Sequence, residues 1–347
     1  MNKTIFFDST LRDGSHAVRH QLSLEAIRDY CRMVDGAGMY TVIVGHGNGL
    51  GASSLQLGFS AYSDKEMLAV ARQELKNTKL GVFLLPGFGT IKDDLAPALD
   101  LGVDLVCVAS HCTEADTTKQ HIEYVRSRGK EAYGILMMYH RASKERLLEE
   151  AQKMQDYGAQ GIILMDSAGA STPEMVKSVI KHLVENLSVP IGFHGHNNLS
   201  LAVSNSLLAI ESGASIIDGT VRGFGAGAGN CQLEALVALM QKEGMTDNID
   251  LYKLLDASEN VVAKIMTQPQ EISSVSIVSG IAGVFSGFAP HVKDAAARFN
   301  VDPRDIFMEL GKLKVVGGQE DVIVKVAMNL AERKKSSDIG YQIESLS

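Results

Sequence analysis

Short apolar runs alternate with longer amphipathic segments along the first 245 residues of the chain. Runs of this length, rich in β-branched and aromatic residues, are typical of strands that are buried in a sheet. The eight runs are Thr4–Phe7, Tyr40–Val44, Leu80–Leu85, Asp104–Ala109, Ala132–Met138, Gly161–Met165, Pro190–Phe193 and Ser215–Ile217.

The segments between these runs have the spacing of helices with one apolar face. Four of them each follow a Ser or Thr that is suited to cap a helix. These are Leu24–Ala37, Asp64–Glu74, Lys144–Tyr157 and Pro173–Glu185, preceded by Ser23, Ser63, Ser143 and Thr172. Alternating strands and helices predict βαβ units and a parallel sheet. Eight units in about 245 residues match a (β/α)₈ TIM barrel. The alternative is a doubly wound open sheet, which usually has fewer strands at this length.

The alternation stops beyond Leu251. Three helical segments follow, with Asp302 as the expected cap of the second and a polar tail from Lys334. They are Val275–Phe299, Pro303–Leu310 and Gln319–Arg333. The sequence therefore predicts a catalytic barrel over residues 1–265 and a small all-α domain over 266–347.

His194-Gly195-His196 closes the seventh predicted strand. Side chains alternate between the two faces of a strand, so both imidazoles point to the same side and can converge on one ion. Two histidines and one carboxylate are a common ligand set for a divalent metal with open positions. Asp13, just after the first strand, is the carboxylate best placed to complete the set.

Histidines gather at one end of the predicted barrel. Of the ten in the chain, seven follow strand ends, where the active site of a TIM barrel lies. These seven are His16, His20, His46, His111, His140, His194 and His196. The gathering favours a functional site over separate histidines that serve only the core.

Two further roles follow from residues near Asp13. Arg12 can stabilise a developing oxyanion, because its planar guanidinium suits a carboxylate or an enolate. His16 can act as a general base at neutral pH, and so can His20. Sequence spacing alone does not separate the two histidines.

Composition narrows the function classes. The net charge is −8, and the basic residues form no cluster interleaved with aromatics, which argues against nucleic acid or an anionic membrane as the main partner. The four cysteines have no regular spacing, a pattern typical of reduced thiols. No run of about 18 apolar residues occurs, and the first strand begins almost at the N-terminus. We therefore expect a soluble cytoplasmic protein.

The glycine-rich segment after strand 8, Gly223–Asn230, fails the register of a dinucleotide-binding fingerprint because residue 228 is Ala. It is read instead as a loop whose backbone approaches a ligand, or as a flexible loop. Ser167, at the end of strand 6, can bind a substrate carboxylate, whereas Cys112 has no evident base partner.

Several of these segments resemble the metal-dependent lyase superfamily of 3-hydroxy-3-methylglutaryl-CoA lyase and isopropylmalate synthase. Within it, the chain is most similar to the 4-hydroxy-2-oxovalerate aldolase family, nearly from end to end. The segments that carry the resemblance are Thr10–Gly14 (TLRDG), Leu11–Gln21 (LRDGSHAVRHQ), His111–Asp116 (HCTEAD), His121–Tyr124 (HIEY), His194–His196 (HGH), Gly225–Asn230 (GAGAGN) and Val316–Asp321 (VGGQED).

The resemblance implies a class II aldolase that reversibly cleaves a 4-hydroxy-2-oxo acid into pyruvate and an aldehyde through a pyruvate enolate. It implies a divalent cofactor, most often Mn²⁺, with Mg²⁺ or Co²⁺ as alternatives. By the same resemblance, Arg12 stabilises the enolate and His16 deprotonates the C4 hydroxyl. The implied metal ligands are Asp13, His194 and His196, and the implied substrate contacts are Arg12, Asp13, Ser167, His194 and the position of Phe285.

The resemblance also implies partners. In the family, the C-terminal domain docks an acylating acetaldehyde dehydrogenase that receives the aldehyde. We therefore expect a homo- or hetero-oligomer that serves the catabolism of aromatic compounds.

The chain departs from the family pattern at four positions. Phe285 replaces a Tyr whose hydroxyl is implicated in substrate contact and enolate protonation. Ile43 replaces a Glu near the end of strand 2, Asn48 replaces an acidic residue, and Arg222 replaces a small one. An added cation and a lost acid at the barrel mouth suggest a more anionic acceptor aldehyde.

Two other functions are kept as alternatives. One is a Claisen-type acyl-CoA lyase or synthase on the same barrel, disfavoured by the short C-terminal region. The other is a catalytically altered scaffold for a dehydrogenase, disfavoured because Asp13, His16, His194 and His196 are all retained.

Overall fold

Eight parallel strands form a closed barrel in which each strand pairs with the next and β8 pairs with β1. The structure is a computed structural model that describes residues 3–246 and 248–344, the side chains of 336–344 excepted. The strands are β1 (Ile5–Asp8), β2 (Thr41–Ile43), β3 (Lys79–Leu84), β4 (Leu105–His111), β5 (Glu131–Met137), β6 (Ile162–Asp166), β7 (Ile191–Gly195) and β8 (Ile216–Gly219). The predicted TIM barrel is confirmed, and closure excludes the open-sheet alternative.

Helices cover the outside of the barrel. The helices of the barrel region are α1 (Gly14–Ala17), α2 (Leu24–Val34), α3 (Asp64–Glu74), α4 (Ala96–Asp100), α5 (Lys119–Ser127), α6 (Lys144–Asp156), α7 (Pro173–Asn186), α8 (Ala202–Glu211), α9 (Leu233–Lys242), α10 (Leu251–Ala257) and α11 (Ala263–Ile265). The four predicted caps all accept a hydrogen bond from the first turn of α2, α3, α6 or α7. These bonds satisfy amide groups that a helix start would otherwise leave unpaired.

Four more helices follow the barrel: α12 (Ser274–Ala282), α13 (Ala289–Phe299), α14 (Pro303–Leu313) and α15 (Glu320–Glu344). Asp302 caps α14 as expected. The last predicted helix, Gln319–Arg333, extends further than expected, because α15 continues to Glu344 through the segment predicted as a polar tail from Lys334. The division of the chain at 265/266 stays a prediction.

Apolar side chains form three cores. The largest lies between the sheet and the surrounding helices, and a second fills the barrel interior around Phe7, Phe83 and Met165. Ile43 belongs to this interior core, so the position where the family carries an acid is apolar here. The third core lies among the four C-terminal helices, α12, α13, α14 and α15. Within the described residues, no helix combines the length and apolar character needed to cross a membrane.

The helical region contacts the mouth of the barrel. The Ser286 backbone amide donates to the Ser167 carbonyl at 2.9 Å, and Nε2 of the Gln56 side chain donates to the Gly318 carbonyl at 3.1 Å. Gln270 donates to the Gly225 carbonyl at 2.8 Å. The C-terminal helices therefore form part of the wall around the strand ends.

A buried polar network anchors the turn after β1. The Tyr30 hydroxyl of α2 donates to Asp8 Oδ2 at 2.6 Å, and Asp8 also accepts from the Thr10 amide at 2.9 Å. Burial raises the pKa of Asp8 to about 6. The turn that carries the candidate site therefore depends on the hydrogen bonds that the buried Asp8 carboxyl group accepts.

We predict that Tyr30→Phe lowers the free energy of unfolding by about 1–3 kcal/mol, because it leaves a buried Asp8 oxygen without its donor. Urea denaturation followed by circular dichroism measures the change. Tyr252→Phe is the matched control, since Tyr252 is 80% exposed, and it should stay within about 0.5 kcal/mol of wild type. Equal stabilities of the two variants would contradict this role of Tyr30.

Candidate metal centre and active site

The Asp13 carboxylate lies in the turn that follows β1 and is 2% exposed. Its Oδ1 accepts from Arg12 Nη1 at 2.8 Å. Its Oδ2 accepts from Asn230 Nδ2 at 2.6 Å and from the Ala226 amide at 3.2 Å. The neighbouring Gly225 lies so close that a Cβ there would be 2.3 Å from Asp13 Oδ2. The glycine-rich loop therefore closes directly onto this carboxylate.

His194 and His196 lie at and just beyond the end of β7, with ring centroids 5.2 Å apart. His194 pairs in register with Asp218 of β8, and its Nδ1 lies 2.8 Å from Asp218 Oδ2. Asp218 also accepts from the Ser9 hydroxyl at 2.7 Å. This carboxylate fixes the ring, so that His194 presents Nε2 to the site.

Two imidazole nitrogens in this cluster are orphans. Across residues 3–246 and 248–344, neither Nε2 of His194 nor Nδ1 of His196 has a hydrogen-bond partner, although both are buried. Buried polar atoms are normally paired, so an unpaired ring nitrogen calls for an explanation.

One ligand atom from each of Asp13, His194 and His196 lies within 4.8 Å of the others. Two imidazoles and one carboxylate suit a divalent transition metal and leave open positions for a substrate. The donor set and its orphan nitrogens therefore fit a divalent cation, as the sequence predicted.

Electrostatics keep these groups in the forms that bind cations. Burial alone would raise the pKa of the Asp13 carboxyl, but Arg12 and His196 hold it well below its usual range. Burial lowers the pKa of His196 to about 4. At neutral pH the site therefore offers an ionised carboxylate and a neutral imidazole.

Arg12 lies beside this cluster and is 3% exposed. Besides Asp13, it contacts the Gly47 carbonyl at 3.4 Å, and its guanidinium carbon is 4.6 Å from the centre of the Phe83 ring. Its Nη2 is 3.9 Å from Asp218 Oδ2. These contacts hold a desolvated cation at the edge of the candidate metal site.

The structure separates His16 from His20, which sequence spacing did not. The His20 ring is nearly buried; its Nδ1 lies 3.2 Å from the Ser15 hydroxyl and 3.4 Å from the Gly47 amide. His16 is half-buried and borders the cavity described below. Burial lowers the pKa of His16 to about 4, so its ring is neutral at pH 7. His16 is the better placed of the two to accept a proton.

Two further imidazoles support His16. The His20 and His46 rings stack with centroids 3.6 Å apart, and His20 lies 5.0 Å from His16. His46 Nε2 is 3.1 Å from the Gly58 carbonyl, and its Nδ1 accepts from the Asn48 amide at 3.0 Å. A Cβ on Gly47 would be 2.4 Å from His16 Nε2. Only glycine at this position leaves the His16 ring where it is.

A cavity of 290 Å³ opens above the strand ends. Arg12, Asp13, His16 and His196 border it on one side. Phe285 and the segment Val316–Gly318 of the helical region border it on another. The cavity therefore joins the candidate metal site to a largely apolar space that both parts of the chain enclose.

Ser167, a predicted substrate contact, lies elsewhere, and so does Cys112, for which the sequence predicted no role. Ser167 is fully buried outside the cavity lining, and its hydroxyl accepts from the Met138 amide at 3.2 Å. It connects β5, β6 and the helical region, and the structure does not bring it to the cavity. Cys112 is buried against the Met138 carbonyl, and burial raises the pKa of its thiol to about 12. This is an inert thiol.

Arg222 does not add a cation to the barrel mouth, so that expectation is wrong. Its backbone has a positive φ of 58°, and its amide donates to Glu234 Oε1 at 2.9 Å. Its guanidinium donates to the Ser258 hydroxyl at 3.2 Å, outside the cavity lining. Asn48 does border the cavity.

Sequence reasoning missed the roles of Asp218 and Asn230. Asp218 follows Ile216-Ile217 on a predicted strand, and a carboxylate beside a strand-end histidine is a detectable signal for a supporting partner. Asn230 ends the glycine-rich segment and belongs to the GAGAGN segment of the resemblance, but neither pattern assigns it a role. Its contact with Asp13 depends on the path of that loop.

The fold and the donor set define a barrel enzyme of the HMGL-like family, whose model matches residues 3–261. A model described as a DmpG-like communication domain matches residues 270–332. A 4-hydroxy-2-oxovalerate aldolase of Pectobacterium atrosepticum is 55% identical over 96% of this chain and 98% of its own length. One named 4-hydroxy-2-oxovalerate aldolase 2, from Salinispora arenicola, is 53% identical over 96% of each. The chain belongs to the 4-hydroxy-2-oxovalerate aldolase family and is a carbon–carbon lyase.

Solved structures show the same fold at lower identity. The N-terminal domain of a putative aldolase from Bacteroides vulgatus matches with a TM-score of 0.71 and 24% identity, over 85% of this chain and 98% of that one. The carboxyl transferase domain of Rhizobium etli pyruvate carboxylase, solved with pyruvate and biocytin, matches with a TM-score of 0.80 and 16% identity. That match covers 96% of this chain and 61% of that one.

We predict that acid weakens the fold through the buried histidines beside His16. Burial lowers the pKa of His46 to about 4, below its ordinary value of about 6.5. Above pH 6.5 the folded and unfolded states are both neutral at His46. As the pH falls from 6.5 towards 4, only the unfolded state takes up the proton, so stability is lost.

His46→Gln should therefore reduce the loss of unfolding free energy between pH 7 and pH 5 by about 1–2 kcal/mol. Urea denaturation at the two pH values measures the loss. Leu313→Ala, at an exposed residue without a titratable group, serves as the control and should leave this loss unchanged. A wild-type pH dependence in His46→Gln would rule out the contribution of His46.

Proposed function

We propose that this protein is a divalent-metal-dependent aldolase that cleaves the C3–C4 bond of a 4-hydroxy-2-oxo acid to give pyruvate and an aldehyde. The observation that carries the proposal is the cluster of Asp13, His194 and His196, in which one ligand atom from each lies within 4.8 Å of the others and two imidazole nitrogens have no hydrogen-bond partner. Membership of the 4-hydroxy-2-oxovalerate aldolase family supports the same reaction. We infer that Asp13, His194 and His196 hold the metal, and that Mn²⁺ is the physiological ion.

When bound, the cation supplies Lewis-acid polarisation of the 2-oxo group, which helps the carbon–carbon bond to release its electron pair towards C2. Arg12 donates its N–H groups to the oxygen on which negative charge develops. Because the guanidinium is 3% exposed, its attraction for that charge is little screened by water.

His16 accepts the proton of the C4 hydroxyl as the C3–C4 bond breaks and the aldehyde carbonyl forms. Its neutral ring at the cavity edge suits this role. Burial lowers its pKa to about 4, and Asp13 opposes that shift. Protonated His16 is therefore stabilised by a nearby carboxylate at the moment when it carries the proton.

Phe285 changes the last step relative to the family pattern, because a phenyl ring carries no hydroxyl. Phe285 borders the cavity and packs edge to face on Phe288, with ring centroids 5.5 Å apart. We assign the proton that converts the enolate to pyruvate to protonated His16, which has just received one. Phe285 contributes an apolar wall that contacts the substrate.

We propose further that the helical region docks an acylating acetaldehyde dehydrogenase in a hetero-oligomer, and that both act in the cytoplasm. The match to a communication domain over residues 270–332 supports the first part. The retained donor set disfavours a catalytically altered scaffold, and a Claisen-type lyase has no specific observation in its favour.

Incubating the Mn²⁺-loaded protein with 4-hydroxy-2-oxo acids should release pyruvate, measured by coupled oxidation of NADH with lactate dehydrogenase. His16→Ala should lower kcat by about 10²–10⁴-fold, because it removes the general base. Absence of pyruvate from every substrate chain length would refute the aldolase function.

His194→Ala should abolish metal retention, because it removes one of three ligands. Metal content after gel filtration, measured by mass spectrometry, checks this. Asp218→Asn should weaken affinity for Mn²⁺ by about 10–100-fold, because the supporting acceptor becomes an amide. His182→Ala, on the outer helix α7, is the control that should retain full metal. Full occupancy in His194→Ala would refute its role as a ligand.

A further inference from the structure

The two sides of the cavity differ in the chemistry of the residues that line them. The groups that the proposed function uses, Arg12, Asp13, His16 and His196, lie at one side. Much of the remaining lining is apolar and comes from the ends of β3, β5 and β6 and from the helical region. The main apolar contributors are Phe83, Leu85, Phe88, Met137, Met165 and Phe285. This second side is where the aldehyde half of the substrate has room to extend.

The volume of the cavity exceeds what a small substrate needs. Pockets of about 300–1,000 Å³ hold drug-sized ligands, and this cavity, at 290 Å³, lies at the lower end of that range. Pyruvate has six non-hydrogen atoms and acetaldehyde has three. A longer aldehyde chain would fill apolar space that water otherwise occupies.

The charges around the cavity disfavour an anionic aldehyde. Of the lining residues in the described part of the chain, Arg12 is the sole Lys or Arg, and it is paired with Asp13 at 2.8 Å. Glu114 adds a carboxylate at the exposed rim. His111 also borders the cavity, and burial lowers its pKa, which disfavours the positively charged form of the ring.

We propose that this aldolase prefers 4-hydroxy-2-oxo acids whose aldehyde half carries a neutral apolar chain longer than that of acetaldehyde. This inference rests on the proposed function and specifies its substrate class. It replaces the anionic acceptor that the sequence of the barrel mouth suggested.

Gly317 provides a way to narrow the apolar side without rebuilding the barrel. It borders the cavity, and a Cβ there would meet only the Phe285 ring, at the ordinary contact distance of 3.9 Å. Gly317 is absent from the positive-φ residues of the described chain, whereas Gly318 has a φ of 96°. A larger side chain at 317 therefore fills cavity space with little backbone strain.

The test compares four substrates of the Mn²⁺-loaded enzyme, which carry methyl, propyl, pentyl or carboxylate groups at C4. Pyruvate release gives kcat/KM for each. Because each buried methylene raises kcat/KM by about fourfold, kcat/KM for the propyl substrate should be about tenfold or more above that for the methyl substrate. For the carboxylate substrate, kcat/KM should be at least tenfold below that for the methyl substrate.

Gly317→Leu should remove the preference for longer chains, so that the ratio of kcat/KM for the propyl substrate to that for the methyl substrate falls from about tenfold to about one or below. Leu313→Ala, a change at a 59% exposed residue of α14, is the matched control and should keep the wild-type order.

Three results would overturn the inference: methyl as the best substrate, carboxylate at or above propyl, or an unchanged propyl advantage in Gly317→Leu. The first two would leave the aldolase function standing, because pyruvate is still released. Absence of pyruvate from all four substrates would instead refute the proposed function itself.

Discussion

The need to compensate one buried negative charge shapes the site. A carboxylate taken out of water is costly unless it is paired and hydrogen-bonded. Asp13 meets that need with a guanidinium from its own turn, and with an amide side chain and a backbone N–H from the loop after β8. The same contacts close the glycine-rich loop over the strand ends. The path of that loop, with Asn230 bridged to His196, then follows from the charge it must cover.

A second buried carboxylate, that of Asp218, orients His194. Asp218 sits beside His194 because β7 and β8 are paired in that register. The contact of Nδ1 with Asp218 then leaves Nε2 as the ring nitrogen of His194 without a partner among the described residues. A one-residue slip between these strands would turn the carboxylate to the other face of the sheet. The order of the barrel strands is therefore also what orients the candidate ligands.

The strands and helices of the barrel could be predicted because the spacing of apolar residues that distinguishes them lies within short segments of the sequence. The grouping of Asp13, His194 and His196 could be predicted for the same reason, since parallel strand ends meet at one rim. The directions of the Ser167 and Arg222 side chains could not be predicted. Ser167 is turned towards the Met138 amide, and Arg222 adopts a positive φ that carries it to Ser258. Both outcomes depend on neighbours that are distant in sequence.

The helical region supplies one wall of a cavity whose chemistry lies in the barrel. Phe285 and Val316–Gly318 face the strand ends, and Gln56 ties the β2–α3 loop to Gly318. The apolar wall that we propose for the aldehyde is thereby shared between the barrel and the C-terminal helices, whereas every proposed metal ligand lies in the barrel. Exchange of the C-terminal helices between relatives would change one part of that wall and leave every proposed metal ligand in place. Such an exchange is a way to change which aldehyde is accepted, in evolution and in protein engineering.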